Sequence, residues 1–109
     1  MDIRKSHKYC IITPLSPKLT EHESSRIKNE ILNSNPLRIG IDMSFVQDCT
    51  IDFIKTIAQF NNISFFNVQS DIFALFTSMN LDKTLSLFVS EIDFLDNKRR
   101  LLNRQFSLV

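Results

Sequence analysis

Ile39-Gly40-Ile41-Asp42-Met43-Ser44-Phe45-Val46-Gln47-Asp48-Cys49-Thr50 is the stretch that decides how this chain is read. Leu37, Ile39, Ile41 and Met43 alternate with Arg38, Gly40 and Asp42, and that period of two predicts a strand. Asp48 then stands where an N-cap would be, ahead of a helix whose buried face is expected to carry Ile51, Ile54, Ile57 and Ala58. A strand passing through a short apolar link into a helix is half of a β-α-β unit, so the flanks should supply the rest.

They do, in both directions. Lys8 to Thr13 holds Tyr9, Ile11 and Ile12 and reads as a strand, stopped by Pro14 and Pro17, which lack a backbone donor. Thr20-Glu21-His22-Glu23 has the form of a capping box, and Ile27, Ile31 and Leu32 give the helix after it an apolar stripe. That helix is expected to end between Asn33 and Pro36. Downstream, Asn61-Asn62 is a turn, and Ile63 to Val68 is a strand rich in phenylalanine and β-branched residues. Ser70-Asp71 opens a helix with Ile72, Phe73, Leu75, Phe76 and Met79 on or near its core face. Asn80 to Lys83 turns the chain, Thr84 to Val89 is the last strand, and Ser90-Glu91-Ile92-Asp93 caps a final helix reaching Leu102. Phe65, Phe66, Phe73, Phe76, Phe88 and Phe94 read as core. Strict alternation of strand and helix predicts an α/β domain, with helices packed on a mixed or mostly parallel sheet joined by right-handed crossovers. The domain is expected over residues 8–103, with a flexible N-terminus at 1–7 and a C-terminal tail at 104–109. At this level thioredoxin-like, flavodoxin-like and STAS folds all remain open.

Composition removes several functions. With 109 residues, 43% of them hydrophobic and 23% charged, the chain suits one domain burying roughly two thirds of its unfolded surface. Gly40 is the single glycine. Neither a G-x-G-x-x-G fingerprint nor a Walker A loop can therefore be written, since both need glycines where backbone meets phosphate. Cys10 and Cys49 show no C-x-x-C spacing, and His7 and His22 complete no zinc pattern. No carboxylate pair or nucleophile-base set stands out, so no enzyme and no cofactor is expected. A net charge of +1 argues against a general nucleic-acid binder. The basic run Lys98-Arg99-Arg100 with Arg104 fits a helix C-terminus instead. No apolar run approaches the roughly 20 residues of a membrane span, and the N-terminal segment lacks the apolar core of a signal peptide. Free thiols and no leader lead to the expectation of a soluble, cytoplasmic protein.

The opening stretch resembles the signature of the STAS family, to which the bacterial anti-sigma factor antagonists belong. That signature is a strand ending in Asp-Leu, a short hydrophobic link, then Asp-Ser followed by Ser, Thr or Ala, Gly and Leu at the start of a helix. Ile11 to Ile31 is similar to the preceding strand, Gly-Glu-Leu-Asp and helix of the family, with Leu19 at its Leu. Ile63 to Val68 and Asp71 to Leu81 are similar to the strand and helix that follow. The resemblance runs from Tyr9 to Leu95. It implies a STAS-like, four- to five-stranded sheet with about four helices on it.

The resemblance also implies a function. The family's partner-switching members bind a kinase-fold anti-sigma factor through the turn and helix that correspond to Asp48, Cys49, Thr50 and Phe53, and a phosphate on the Ser or Thr after the Asp ejects the partner. Such a group adds about −1.5 to −2 charges at a packed surface. Here that position is Cys49, which accepts no phosphate from a Ser/Thr kinase, and Thr50 is the next hydroxyl available for phosphorylation. The family glycines are replaced by Ile51 and Pro17, so two loops are expected to do without positive φ. Cys49 has two readings, a redox-sensitive thiol with a lowered pKa at a helix N-terminus or a small inert filler. Phe45, Phe53 and Phe60 flank the turn, and any left exposed is a partner-contact candidate. Two functions follow from the resemblance. One is an interaction module of the antagonist kind in transcription regulation. The other is a structural subunit of a larger assembly, such as a phospholipid-transport ABC complex or a signalling scaffold. A homodimer is compatible with either, and neither requires direct membrane insertion.

Overall fold

The structure is a computed structural model and describes residues 1–34, 38–60, 62–81 and 85–96. Strand β1 (Asp2–Lys5) runs antiparallel to β2 (Tyr9–Thr13), with Ile3 opposite Ile12. After a two-residue β3 (Lys18–Leu19) come α1 (Glu21–Ser34), β4 (Arg38–Asp42), a two-residue β5 (Asp48–Cys49) and α2 (Ile51–Ile57). The chain continues with β6 (Ile63–Phe66), α3 (Ser70–Ser78), β7 (Ser86–Phe88) and α4 (Glu91–Asp96). The main sheet has the order β1-β2-β4-β6-β7, parallel except for β1, and β3 pairs with β5 in a separate parallel ribbon.

This is the mostly parallel sheet with four helices that the alternation called for, and β1 makes it five-stranded, within the four to five strands that the resemblance implies. One boundary is different. The polar N-terminus, expected to fray over residues 1–7, contributes an edge strand. Every β1 residue has a partner on β2, Arg4 pairs with Glu91 of α4, and Lys5 Nζ lies 2.6 Å from Glu30 Oε1 of α1. Charged side chains on an edge strand also discourage pairing with other chains. The segments assigned to the end of the first helix at Asn35 and Pro36, to the turn at Asn61 and to Asp82–Thr84 lie outside the described residues. So do the extension of the last helix to Leu102, the basic run Lys98-Arg99-Arg100 with Arg104, and the tail 104–109.

Each crossover from β2 onward steps in the same direction across the sheet, so right-handed connections set α1, α2 and α3 on one face. That face carries Cys10, Ile12, Ile39, Ile41, Phe65 and Leu87, all buried in one cluster with Ile27, Ile31, Phe53, Ile54, Ile57, Ile72 and Phe76 of the helices. Alternation sends Ile11, Gly40, Phe66 and Phe88 to the other face, where α4 lays the buried Phe94. Two apolar residues assigned to helix core faces are instead exposed, Leu32 on α1 and Ile51 on α2. Phe53 takes the inward position on α2 in place of Ile51. Phe73 and Met79 are half-buried at the margin of the core.

Gly40 has a packing explanation. A Cβ there would lie 2.8 Å from two ring atoms of Phe94 and 3.0 Å from Phe66, so any side chain at 40 would displace the plug. Opposite it in the ladder stands Ser64, and Ser86 follows on β7, which makes a row of small residues for the ring to lie across. Phe94 stacks on Phe66 with centroids 5.5 Å apart and meets Phe88 edge-on at 5.7 Å. Arg38 closes the arrangement. Its guanidinium sits 4.3 Å from the Phe94 centroid and donates to the Phe94 carbonyl at 2.6 Å. Burial pushes the Arg38 pKa down, yet the group keeps a carbonyl acceptor and a ring face.

Candidate functional site

The parallel strands end together, and the loops leaving β2 and β4 lie side by side because those strands are paired. The two loops are also laced to each other. The Pro17 carbonyl accepts from the amides of Gln47 (2.7 Å) and Asp48 (3.0 Å), and Thr50 N–H donates to the Leu19 carbonyl at 2.9 Å. Between these bonds Lys18 pairs with Asp48 and Leu19 with Cys49 in the β3–β5 ribbon.

That ribbon moves the helix start. Asp48 was expected as the N-cap, but residues 48–49 are held extended, so the helix cannot begin until they are released. Thr50 takes the position, at φ −79° and ψ 158°, and its Oγ1 accepts from Phe53 N–H at 3.1 Å. The Asp48 carboxylate accepts from the Cys49 amide at 2.9 Å and stays exposed, with Lys18 Nζ 3.9 Å away. The capping box of α1 forms, with a variation. Glu23 accepts from both the amide (3.0 Å) and the hydroxyl (2.6 Å) of Thr20, and Thr20 Oγ1 accepts weakly from His22 N–H. These bonds, the hydroxyl above all, hold the Glu23 carboxyl below its usual range.

Of the four expected contact residues, two face outward and two do not. Asp48 is exposed and Thr50 half-buried, while Cys49 and Phe53 lie in the core. The contact role assigned to Cys49 and Phe53 is corrected on that ground, since a side chain inside the core touches no partner. Cys49 is only 4% exposed, and burial, reinforced by the neighbouring Asp48 charge, pushes its thiol up to about 11. The lowered-pKa reading therefore gives way to the filler reading, because desolvation outweighs any help from a seven-residue helix. Pro17, in the loop after β2, and Ile51, the first residue of α2, stand in place of the family glycines and neither has a positive φ. Among the described residues only Asn67 and Asn80 have it.

A second set of bonds shapes the loop after β4. Asp42 Oδ1 accepts from Ser44 N–H and from Asn67 Nδ2, both at 3.0 Å, and Gln69 Nε2 donates to the Ser44 carbonyl at 3.3 Å. Asn67, at φ 57°, belongs to the β6–α3 loop, so the loop after β4 is tied on both flanks. Met43 and Val46 point into the core. Phe45, between them, is turned out and 56% exposed. Leu15, in the loop after β2, is 60% exposed, and Ile51, at the first position of α2, is 52% exposed. Three large apolar side chains from three adjoining segments thus stand in water at one end of the sheet.

Phe45 was foreseen as a contact candidate if exposed. Leu15 carried no signal in the sequence beyond its place between two prolines, and Ile51 was assigned inward from a helical period. Phe60 is half-buried against the core. Among the described residues no group of three His, Cys, Asp or Glu side chains could hold a metal ion, and no helix is long and apolar enough to cross a membrane.

No protein-family model matches this sequence, and no curated protein matches it. Among solved structures, the murine Solute Carrier 26 family member A9 (Slc26a9) anion transporter in the inward-facing state is similar over 83% of this chain, with a TM-score of 0.63 and 17% sequence identity. The fold is of the STAS type. This chain spans 17% of the length of that transporter chain. At such identity the likeness reaches the STAS fold and stops there, leaving function to be argued from the surface.

Proposed function

We propose that this STAS-type domain is a non-catalytic interaction module that binds a protein partner through the end of the sheet where Leu15, Phe45 and Ile51 stand beside Asp48 and Thr50. The carrying observation is the exposure of those three side chains on two loops and a helix start fixed by main-chain hydrogen bonds. An apolar patch on a pre-organised surface binds at low ordering cost, and aromatic side chains at its centre contribute most of the affinity. The site adjoins the turn through which the resembling antagonists engage an anti-sigma factor. In that reading the chain serves transcription regulation in a bacterial cytoplasm, its partner is a kinase-like ATPase, and Thr50 is the hydroxyl available for phosphorylation.

A second reading has its own support. Position 49 holds a buried thiol where the switching members of the family carry a phosphorylatable hydroxyl, which suits a constitutive subunit of a transporter or scaffold better than a switch. The fold likeness to one part of an anion transporter fits the same reading.

Affinity capture from the native host with the wild type, Phe45→Ser, Leu15→Ser and a control, Leu32→Ser, tests the proposal. A protein recovered by the wild type and the control but lost with Phe45→Ser and Leu15→Ser supports it, and its identity separates the two readings. Equal recovery by all four proteins would overturn it.

A further inference from the structure

The apolar patch has a charged rim of one sign. Because the parallel strands end together, the first turns of α1, α2 and α3 surround the patch, and each opens with carboxylates. Glu23 is engaged by Thr20, which leaves Glu21, Asp52 and Asp71 exposed. Asp48 adds a fourth exposed carboxylate. Among the described residues, Lys18 lies 3.9 Å from Asp48 and Arg4 is paired with Glu91 on the α4 side, while His22 stands between Glu21 and Glu23 on the first turn of α1.

Helix polarity explains part of this. Each N-terminus offers about half a positive charge, which a first-turn carboxylate offsets. A full charge on each of three helices exceeds that, and Asp48 caps no helix, since Thr50 does. The chain as a whole carries +1, so the negative field at this end is a local segregation. Lys8 and Arg38 lie at the opposite end, where the parallel strands begin.

Resting on the interaction reading above, we infer that the docking face of the partner is an apolar surface rimmed by lysine or arginine, such as a cationic amphipathic helix on a protein. An apolar centre with a charged rim matches the anatomy of protein interfaces, and the rim charge chooses among partners and accelerates encounter. Anionic lipid surfaces and nucleic acids carry the sign of this rim and are disfavoured by it.

The test uses amide NMR of the full chain with three probes: a synthetic Leu/Lys helical peptide, its Leu/Glu counterpart, and vesicles of phosphatidylcholine with phosphatidylglycerol. The Leu/Lys peptide is expected to perturb the amides of Leu15, Phe45, Asp48, Ile51 and Asp52, with affinity falling about tenfold between low and about 0.5 M salt. Phe45→Ser should abolish those perturbations, and Asp48→Lys with Asp52→Lys should weaken them about tenfold and admit the Leu/Glu peptide. Equal perturbation by the Leu/Glu peptide or by vesicles in the wild type would overturn the inference, as would Leu/Lys affinity indifferent to charge reversal. If the native partner is still captured through Phe45 while charge reversal changes nothing, the interaction reading stands and the inference about charge falls. If capture also ignores Phe45→Ser, both fall.

Discussion

The two faces of the sheet are built on different principles. The face under α1, α2 and α3 is mostly aliphatic, with Ile12, Ile39, Ile41 and Leu87 beside Phe65 meeting three helices in a broad cluster that many side chains share. The face under α4 is narrow. It is made of Ile11, Phe66 and Phe88 around one inserted ring, Phe94, with a glycine and serines making room and two arginines at its margin. The first face distributes stability over many replaceable contacts. The second concentrates it in one ring and the hole beneath it.

Phe94→Ala should have the largest effect, about 3–5 kcal/mol, because it empties a site lined by rings and by Arg38. Phe76→Ala on the other face should cost a similar amount or less, since its neighbours can collapse inward. Urea denaturation of both variants makes the comparison, and a Phe94→Ala loss below 1 kcal/mol would break it. Gly40→Ala should cost about 1–3 kcal/mol by overpacking. Combining it with Phe94→Leu should recover part of that loss, a coupling that a double-mutant cycle reads directly.

The faces also differ in what titrates. Cys10 and Cys49, both buried on the helix-covered face, have thiol pKa values raised by burial, Cys49 to about 11. A raised value favours the protonated thiol in the folded state. The stabilisation is therefore complete below the ordinary thiol pKa and is lost as pH climbs from there toward 11. Stability should be indifferent to these thiols at neutral pH and fall on the alkaline side, and Cys49→Ala should flatten that limb. At neutral pH, alkylation of Cys49 should proceed only through unfolding, and rapid labelling of the native chain would contradict its burial.

The smallest effect belongs to the α4 face. Arg4 and Glu91 form a two-pronged pair, but both are substantially exposed, so Glu91→Gln should cost no more than about 1 kcal/mol and less in high salt. A larger, salt-independent loss would mean that α4 is held by this pair rather than by its ring.

Much of this fold was legible in the chain. The period of two in Ile39 to Met43, the capping box at Thr20 and the turns between segments are local signals, and they placed the alternating elements. Residues 1–7 were misread because a short polar segment has no period to betray a strand, and β1 exists through its ladder with β2 and its ion pairs to α1 and α4. At the candidate site the sequence named the segment, and the structure decides which of its side chains reach the surface. Asp48 is exposed and Thr50 half-buried, while the β3–β5 ribbon handed the cap to Thr50 and put Phe53 inward and Ile51 outward.

By itself, the sequence determined the succession of elements, the exclusion of glycine-dependent phosphate loops and the resemblance at residues 39–50, because each depends on neighbours in the chain. The tertiary structure decided the matters that depend on what lies opposite. Packing of Phe94 put α4 on its own face and explained the single glycine, burial silenced the thiol of Cys49, and segments brought together by parallel strands left Leu15, Phe45 and Ile51 in water. Those outcomes turn on contacts between residues remote in sequence, and no local propensity encodes them.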